Sequence, residues 1–257
     1  DAQAAQTSGE AENGINRLRH LHKSCEQSLS LAPALGDYLG LIASFNTRQT
    51  GDEPWRVYPG SPWVMASLMT EPERAAVHDR LRLFELHPTD IEALDAHVAQ
   101  LEAKRQIAVA RQDGFEALKA LLPPPASGGG SRRAMVLIDP SYEIKTDYAK
   151  VATTLQDCLR RFVTGVYLVW YPIIPRPEAH GLPRRLKTLA QQAQRPWLHT
   201  TLHVGALAQD TGLSASGMFI INPPHTLKAS LDAALPQVLE ALAVDGGRGS
   251  GWAVEVG

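Results

Sequence analysis

A short apolar run, Ala134 to Ile138, stops abruptly at Asp139-Pro140-Ser141-Tyr142. Such a run, bounded by a turn, is what a strand covered on both faces of a parallel sheet requires. Pro140 offers no backbone donor and fixes its own φ, and it keeps the residue before it out of helical geometry. The chain must turn there. An acid, a rigid turn and an aromatic ring are thereby set at the carboxyl end of a central strand, where open α/β sheets hold their ligands.

Strand and helix patterns continue on both sides. Arg80 to Leu86 alternates and halts at His87-Pro88, a strand ending in the acid Glu85. An amphipathic helix follows over Asp90 to Leu101, then a strand over Gln106 to Ala110 ending near Asp113-Gly114-Phe115, then a helix over Glu116 to Leu122. Beyond the tetrapeptide come a long helix from Asp147 to Phe162, a strand from Val166 to Ile174 and a helix from Leu182 to Ala193. Strands Trp197 to Val204 and Gly217 to Ile221, a helix Leu227 to Leu242 and a last strand Trp252 to Val256 close the chain. This order predicts an α/β fold of the Rossmann-like type, with a mostly parallel central sheet, helices on both faces and late antiparallel strands.

The core should span 80–257, with 15–79 a helical segment inserted before or within it and 1–14 a disordered or frayed remnant. In the helical segment, Ser61 before Pro62 reads as an N-cap with proline at the first helical position, a place that also suits a ligand carboxylate. Arg17, Arg19, His20, His22 and Lys23 cluster on the first helical stripe, which reads as a solvated face or a phosphate contact.

Composition narrows the partners. With 257 residues, 44% of them hydrophobic, the chain can bury a full core. Its formal net charge of -2 means that any polyanion must be met by a local basic patch. Lys145, Arg184 and Arg185 are the preferred candidates for nucleic-acid phosphates, ahead of Arg132-Arg133, Arg160-Arg161 and Lys187. Cys25 and Cys158 have no companions at metal-ligand spacing, so neither a metal site nor a disulfide scaffold is expected. No apolar run approaches the ~18 residues of a membrane span, and the start of the chain lacks a leader pattern; sparse cysteine use points to a reducing, cytoplasmic setting, and a monomer is expected.

Three successive strand ends carry Glu85, Asp113 and Asp139. In a doubly wound sheet an acid after the second strand can accept from both hydroxyls of a ribose. An acid after the third can accept from an adenine amine while a neighbouring backbone N–H donates to the ring. The tetrapeptide suits a different task. The exocyclic amine of a base is a poor nucleophile because its lone pair is delocalised, and two acceptors, the Asp139 carboxylate and the Pro140 carbonyl, would hold both N–H groups and favour the out-of-plane lone pair. Tyr142 would be a platform on which an extruded base stacks. A second apolar strand ends at Asn222-Pro223-Pro224-His225, which reads as a strand end with a proline-initiated helix.

The tetrapeptide resembles motif IV of S-adenosylmethionine-dependent amino-methyltransferases, usually Asp/Asn-Pro-Pro-Tyr/Phe. Together the segments YPGSP (58–62), ELHP (85–88), DGF (113–115), DPSYEIKTDY (139–148), WYP (170–172) and SGMFIINPP (216–224) resemble the RlmJ family, which methylates N6 of an adenine in 23S ribosomal RNA. The resemblance implies that Ser61, Glu85, Asp113 and Gly114 bind S-adenosylmethionine and that Asp139 is the catalytic acceptor. Ser141 stands where the family usually has a second proline. Nothing before residue 15 reads as the family's opening strand and glycine-rich cofactor loop, and neither Gly128–Gly130 nor Gly246–Gly251 follows a strand and opens a helix. A chain without that part is expected to turn over poorly or not at all. DNA adenine methylation, and non-catalytic nucleic-acid binding linked to use of external DNA, are the alternative readings.

Overall fold

The computed structural model describes residues 14–25, 30–48, 53–69, 79–101, 106–126, 132–205, 213–244 and 248–257. The expectations for residues 1–13, for Gly128–Gly130 and for Gly246 lie outside these residues. The elements in chain order are α1 (Ile15–Cys25), α2 (Pro33–Ser44), α3 (Ser61–Met69), β1 (Leu81–Glu85), α4 (Pro88–Ala99), β2 (Ile107–Arg111), α5 (Gly114–Leu121) and β3 (Met135–Ile138). After the tetrapeptide follow α6 (Thr146–Arg161), β4 (Val166–Pro172), α7 (Pro177–Gln192), β5 (Trp197–Val204), β6 (Ala215–Ile221), α8 (Leu227–Leu242) and β7 (Ser250–Val256).

The chain forms two units, one of Asp1–Tyr58 with Pro123–Gly257 and the other of Pro59–Leu122. This differs from the division expected near residue 79. The early helices α1 and α2 bury Leu18, Leu35, Leu39 and Ile42 together with Trp55, and Ala234, Val238, Ala241 and Leu242 of α8 pack on them. An amphipathic helix goes where its apolar stripe is covered, and the covering stripe comes from the far end of the chain. Two residues of the basic cluster on α1, Arg17 and Arg19, are packed and not solvated, while His20 is exposed. Arg17 donates to the carbonyls of Leu242 (3.0 Å) and Ala243 (3.1 Å), a cation on the last turn of α8. Arg19 is buried.

In the smaller unit, β1 and β2 pair in parallel from Leu81↔Ile107 to Glu85↔Arg111. Leu81 and Leu83 point inward with Ile107 and Ala66, and Leu94, Val98 and Val109 complete that core.

The larger unit holds a five-stranded sheet in the order β3-β4-β6-β5-β7. β3 and β4 are parallel, with Ile138 opposite Val169, and the late strands β6, β5 and β7 pair antiparallel. Among the described residues β3 pairs with β4. The long helix α6 turns Tyr148, Val151, Ala152, Leu155, Cys158 and Leu159 inward at three- and four-residue spacing. Helix α7 begins five residues before its expected start, with Pro177 in its first turn, and continues through Pro183. Among the described residues no helix is long and apolar enough to cross a membrane, and no three His, Cys, Asp or Glu side chains group as metal ligands.

Asn222 shows why the second proline motif is structural. Its backbone is left-handed, φ 56°, and its side chain ties three segments: Oδ1 accepts from Arg195 Nε at 2.7 Å, while Nδ2 donates to the carbonyls of Val163 (2.9 Å) and Gly165 (2.6 Å). Ile221 pairs with Tyr167 at the start of β4, whereas Asp139 follows Ile138, which pairs with Val169 further along. The two proline motifs therefore lie toward opposite ends of β4. Asn222→Ala is expected to destabilise the protein by about 2 kcal/mol, combining the left-handed penalty with lost hydrogen bonds. Asn222→Gly should recover about 1 kcal/mol of that, the conformational share, in urea unfolding.

Candidate active site

In the larger unit the chain leaves β3 at Ile138, which is buried, and the next side chain, Asp139, emerges to solvent. Enough protein surrounds the carboxyl that desolvation raises its pKa above the usual aspartate value. Among the described residues neither the Asp139 carboxylate nor the Pro140 carbonyl takes a hydrogen bond. Both acceptors remain available at the strand end.

The aromatic end of the turn is engaged. Tyr142 is left-handed, φ 56°, and its ring is 2% exposed, packed 4.7 Å from the Tyr148 ring and 6.2 Å from Trp170. Its hydroxyl donates to the Trp170 carbonyl at 2.6 Å. Burial first, then the nearby Asp139 charge, drives its pKa far above the ordinary tyrosine value, so the hydroxyl stays a donor. This corrects the stacking role expected of Tyr142. A covered ring offers no face to a base, and left-handed backbone turned this side chain into the core against β4. What Tyr142 does here is anchor the turn that presents Asp139 and Pro140.

In the smaller unit the strand ends carry the other candidates. The Glu85 Oε1 accepts from the backbone N–H of Leu86 (2.7 Å) and of His87 (2.8 Å). Both bonds fall on one oxygen, so the carboxylate is held still while Oε2 takes no hydrogen bond among the described residues. Asp113 is the N-cap of α5, its Oδ1 accepting from Phe115 N at 2.9 Å. Gly114 opens that helix, and a Cβ on it would lie 3.3 Å from Cβ of Phe84, so close packing on β1 also favours glycine there. Ser61 is the first helical residue of α3 and not its cap. The Gly60 carbonyl accepts from Trp63 N and Val64 N, which moves the cap one residue back. A carboxylate with one oxygen fixed and the other open suits a ribose diol, and a capped glycine helix start suits a nucleoside held against backbone, so these residues fit a nucleoside cofactor.

The basic candidates divide. Lys145 is exposed immediately before α6, and Arg184 and Arg185 are exposed on α7. Lys187 pairs closely with Glu255 and lies 4.9 Å above the Trp197 ring, and Arg161 pairs with Asp157 at 2.7 Å. Sequence reading missed Arg176, the N-cap of α7, whose Nη1 donates to the carbonyls of Tyr142 (3.0 Å) and Glu143 (3.4 Å). A lone arginine between Pro175 and Pro177 carries no local signal of a contact 34 residues away.

Comparison with known proteins bears on the whole chain. Residues 1–254 match the family described as ribosomal RNA large subunit methyltransferase D, RlmJ. A ribosomal RNA large subunit methyltransferase J from Escherichia coli (strain K12) is 35% identical over 232 residues, 90% of this chain and 73% of that protein. Its namesake from Haemophilus influenzae is 34% identical over 251 residues, 98% of this chain and 79% of the relative. A crystal structure from Legionella pneumophila superposes with a TM-score of 0.73 at 26% identity, covering 96% of this chain and 80% of that one. The acid after β3, the proline turn and the strand-end carboxylates are thus carried by a chain that belongs to the RlmJ family of ribosomal RNA large subunit methyltransferases.

Proposed function

We propose that this chain transfers a methyl group from S-adenosylmethionine to N6 of an adenine in 23S ribosomal RNA. The observation that carries the reading is the pair of open acceptors, Asp139 and the Pro140 carbonyl, on a turn whose next residues are pinned by Trp170 and Arg176. The cofactor supplies an electrophilic methyl on a sulfonium. Asp139 and Pro140 accept the two N–H bonds of the target amine, which turns its lone pair out of the ring plane. The amine nitrogen held by Asp139 and Pro140 would take the methyl that the bound cofactor would supply, its leaving electron pair staying with the cofactor. One N–H proton then passes to Asp139 or to water. Holding the amine in line contributes on the order of 7–11 kcal/mol of barrier reduction, so orientation alone is a sufficient catalytic device.

Glu85, Asp113 and Gly114 bind the nucleoside part of the cofactor in this reading, with Ser61 toward its carboxylate. Lys145, Arg184 and Arg185 meet RNA phosphates, which gives a binding constant that falls with salt. Arg184 stands eight residues after Arg176 on α7, about 12 Å along the helix axis, within the reach of a backbone entering the site.

The test is methyl transfer to deproteinised 23S RNA and to duplex DNA, read as N6-methyladenosine after nuclease digestion. Product on RNA alone supports the reading, product on DNA alone replaces the substrate, and methylation at another atom removes the role given to Asp139. For the cofactor, Glu85→Ala should weaken S-adenosylhomocysteine about 30-fold in calorimetric titration, the worth of one charged hydrogen-bonding group. Unchanged affinity would remove Glu85 from the site.

A further inference from the structure

Arg176 touches the motif turn from outside it, and the contact falls at the point where the turn is under most strain. Left-handed backbone costs a non-glycine residue roughly 1–2 kcal/mol, so Tyr142 keeps φ 56° only because its surroundings hold it there. Two tethers do so. The hydroxyl is bonded to the Trp170 carbonyl on β4 (2.6 Å), and the backbone carbonyl is bonded to Arg176 Nη1 (3.0 Å).

The same nitrogen reaches the Glu143 carbonyl at 3.4 Å, so one guanidinium spans two successive peptides of the turn. Arg176 is itself fixed. Its N–H donates to the Ile174 carbonyl (2.7 Å) and its own carbonyl accepts from His180 N (3.2 Å) as α7 begins. The side chain that steadies the turn is therefore mounted on a helix start. Two residues separate Asp139 from Tyr142, and Pro140 has a fixed φ. A shift of the turn at Tyr142 is passed toward the Asp139 carboxylate and the Pro140 carbonyl through Ser141 alone.

We propose that Arg176 is a positioning residue for methyl transfer, acting through the carbonyls of Tyr142 and Glu143 to aim the two acceptors of the motif. The inference rests on the functional reading above. It assigns Arg176 no contact with RNA or cofactor, and that separates its consequences from those of a phosphate-binding arginine.

The experiment compares Arg176→Ala and Arg176→Lys with the wild type in the full chain, measuring kcat, KM for RNA and S-adenosylhomocysteine affinity. Misplacement of about 1 Å costs on the order of 10²-fold, so Arg176→Ala should lose about that in kcat while KM and inhibitor affinity stay within about threefold. Arg176→Lys, a single-point donor, should fall between, and added guanidinium should partly restore Arg176→Ala. A loss confined to KM would overturn the proposal in favour of an RNA contact, and kcat within about threefold of wild type would overturn it outright.

Hydrogen exchange over residues 139–146 decides the clamp independently of turnover. Faster exchange in that segment alone supports it, and unchanged exchange overturns it. If the wild type neither binds S-adenosylhomocysteine nor methylates ribosomal RNA, the functional reading fails, while the exchange result still decides whether Arg176 holds the turn.

Discussion

Replacing Asp139 with alanine is expected to lower methyl transfer by about 10³-fold while leaving S-adenosylhomocysteine binding unchanged, because one of two acceptors for the target amine is removed. Asp139→Asn keeps a neutral acceptor in the same place. A charged hydrogen bond is roughly twice as strong as a neutral one, a difference near 1.4 kcal/mol, so this variant should lose only about tenfold. The order wild type, asparagine, alanine separates charge from geometry. An alanine variant within a few-fold of wild type would remove Asp139 from the chemistry.

The same substitutions should not weaken the fold. Desolvation holds the Asp139 pKa above its unfolded value, so the folded state keeps this proton more tightly than the unfolded chain does. Its contribution is then a penalty, absent below the unfolded pKa, growing as pH rises toward the folded pKa and complete above it. Removing the carboxylate relieves that penalty. Thermal unfolding should show both variants melting at or above wild type at neutral pH, with the gap closing in acid. Variants that melt lower at neutral pH would mean that the carboxylate supports the fold.

The largest structural effect is expected at Gly217. On β6 it pairs with Tyr171 of β4 on one side and Thr201 of β5 on the other, and a Cβ built on it would lie 2.4 Å from Cζ of Tyr171. Tyr171 is not free to move. It is 2% exposed, its hydroxyl lies 2.8 Å from His199 Nε2, and burial pushes its pKa up to about 12. Desolvation lowers the pKa of His199, opposed by its hydrogen bond with Glu255, so a neutral imidazole can accept from the tyrosine.

Elsewhere a glycine-to-alanine change in a strand gains up to about 1 kcal/mol in conformational entropy. Here overpacking against a fixed ring outweighs it. Gly217→Ala should cost about 3 kcal/mol, read in urea unfolding or as a fall of about 2–4 °C per kcal/mol in Tm. Adding Tyr171→Ala opens the space, so the double variant should be less destabilised than the sum of the singles by at least about 1 kcal/mol. Additive costs would show that the added methyl is accommodated elsewhere.

The strand ends and their acids could be read before any fold was known. Period-two and period-3.6 patterns, and proline's fixed φ, act over four residues or fewer, and they located β1, β2 and β3, their terminal Glu85, Asp113 and Asp139, and the turn at Pro140. Six separated segments carried the family resemblance, and the RlmJ match covers the chain they come from. Other features depend on groups that meet only after folding. Ser61 reads as a cap, but the Gly60 carbonyl accepts the first helical bonds.

Tyr142 reads as a platform because its flat ring follows the two acceptors and could stack an extruded base, while the φ that buries it is held by Trp170 and Arg176, 28 and 34 residues away. Asn222 resembles a second motif in sequence and lies toward the other end of β4, because β6 runs antiparallel to it. Residue type and spacing determined which groups this chain offers for chemistry. Contacts distant in sequence decided which of them face outward, since the free energy of burial and backbone strain belongs to the assembled packing and not to any short segment.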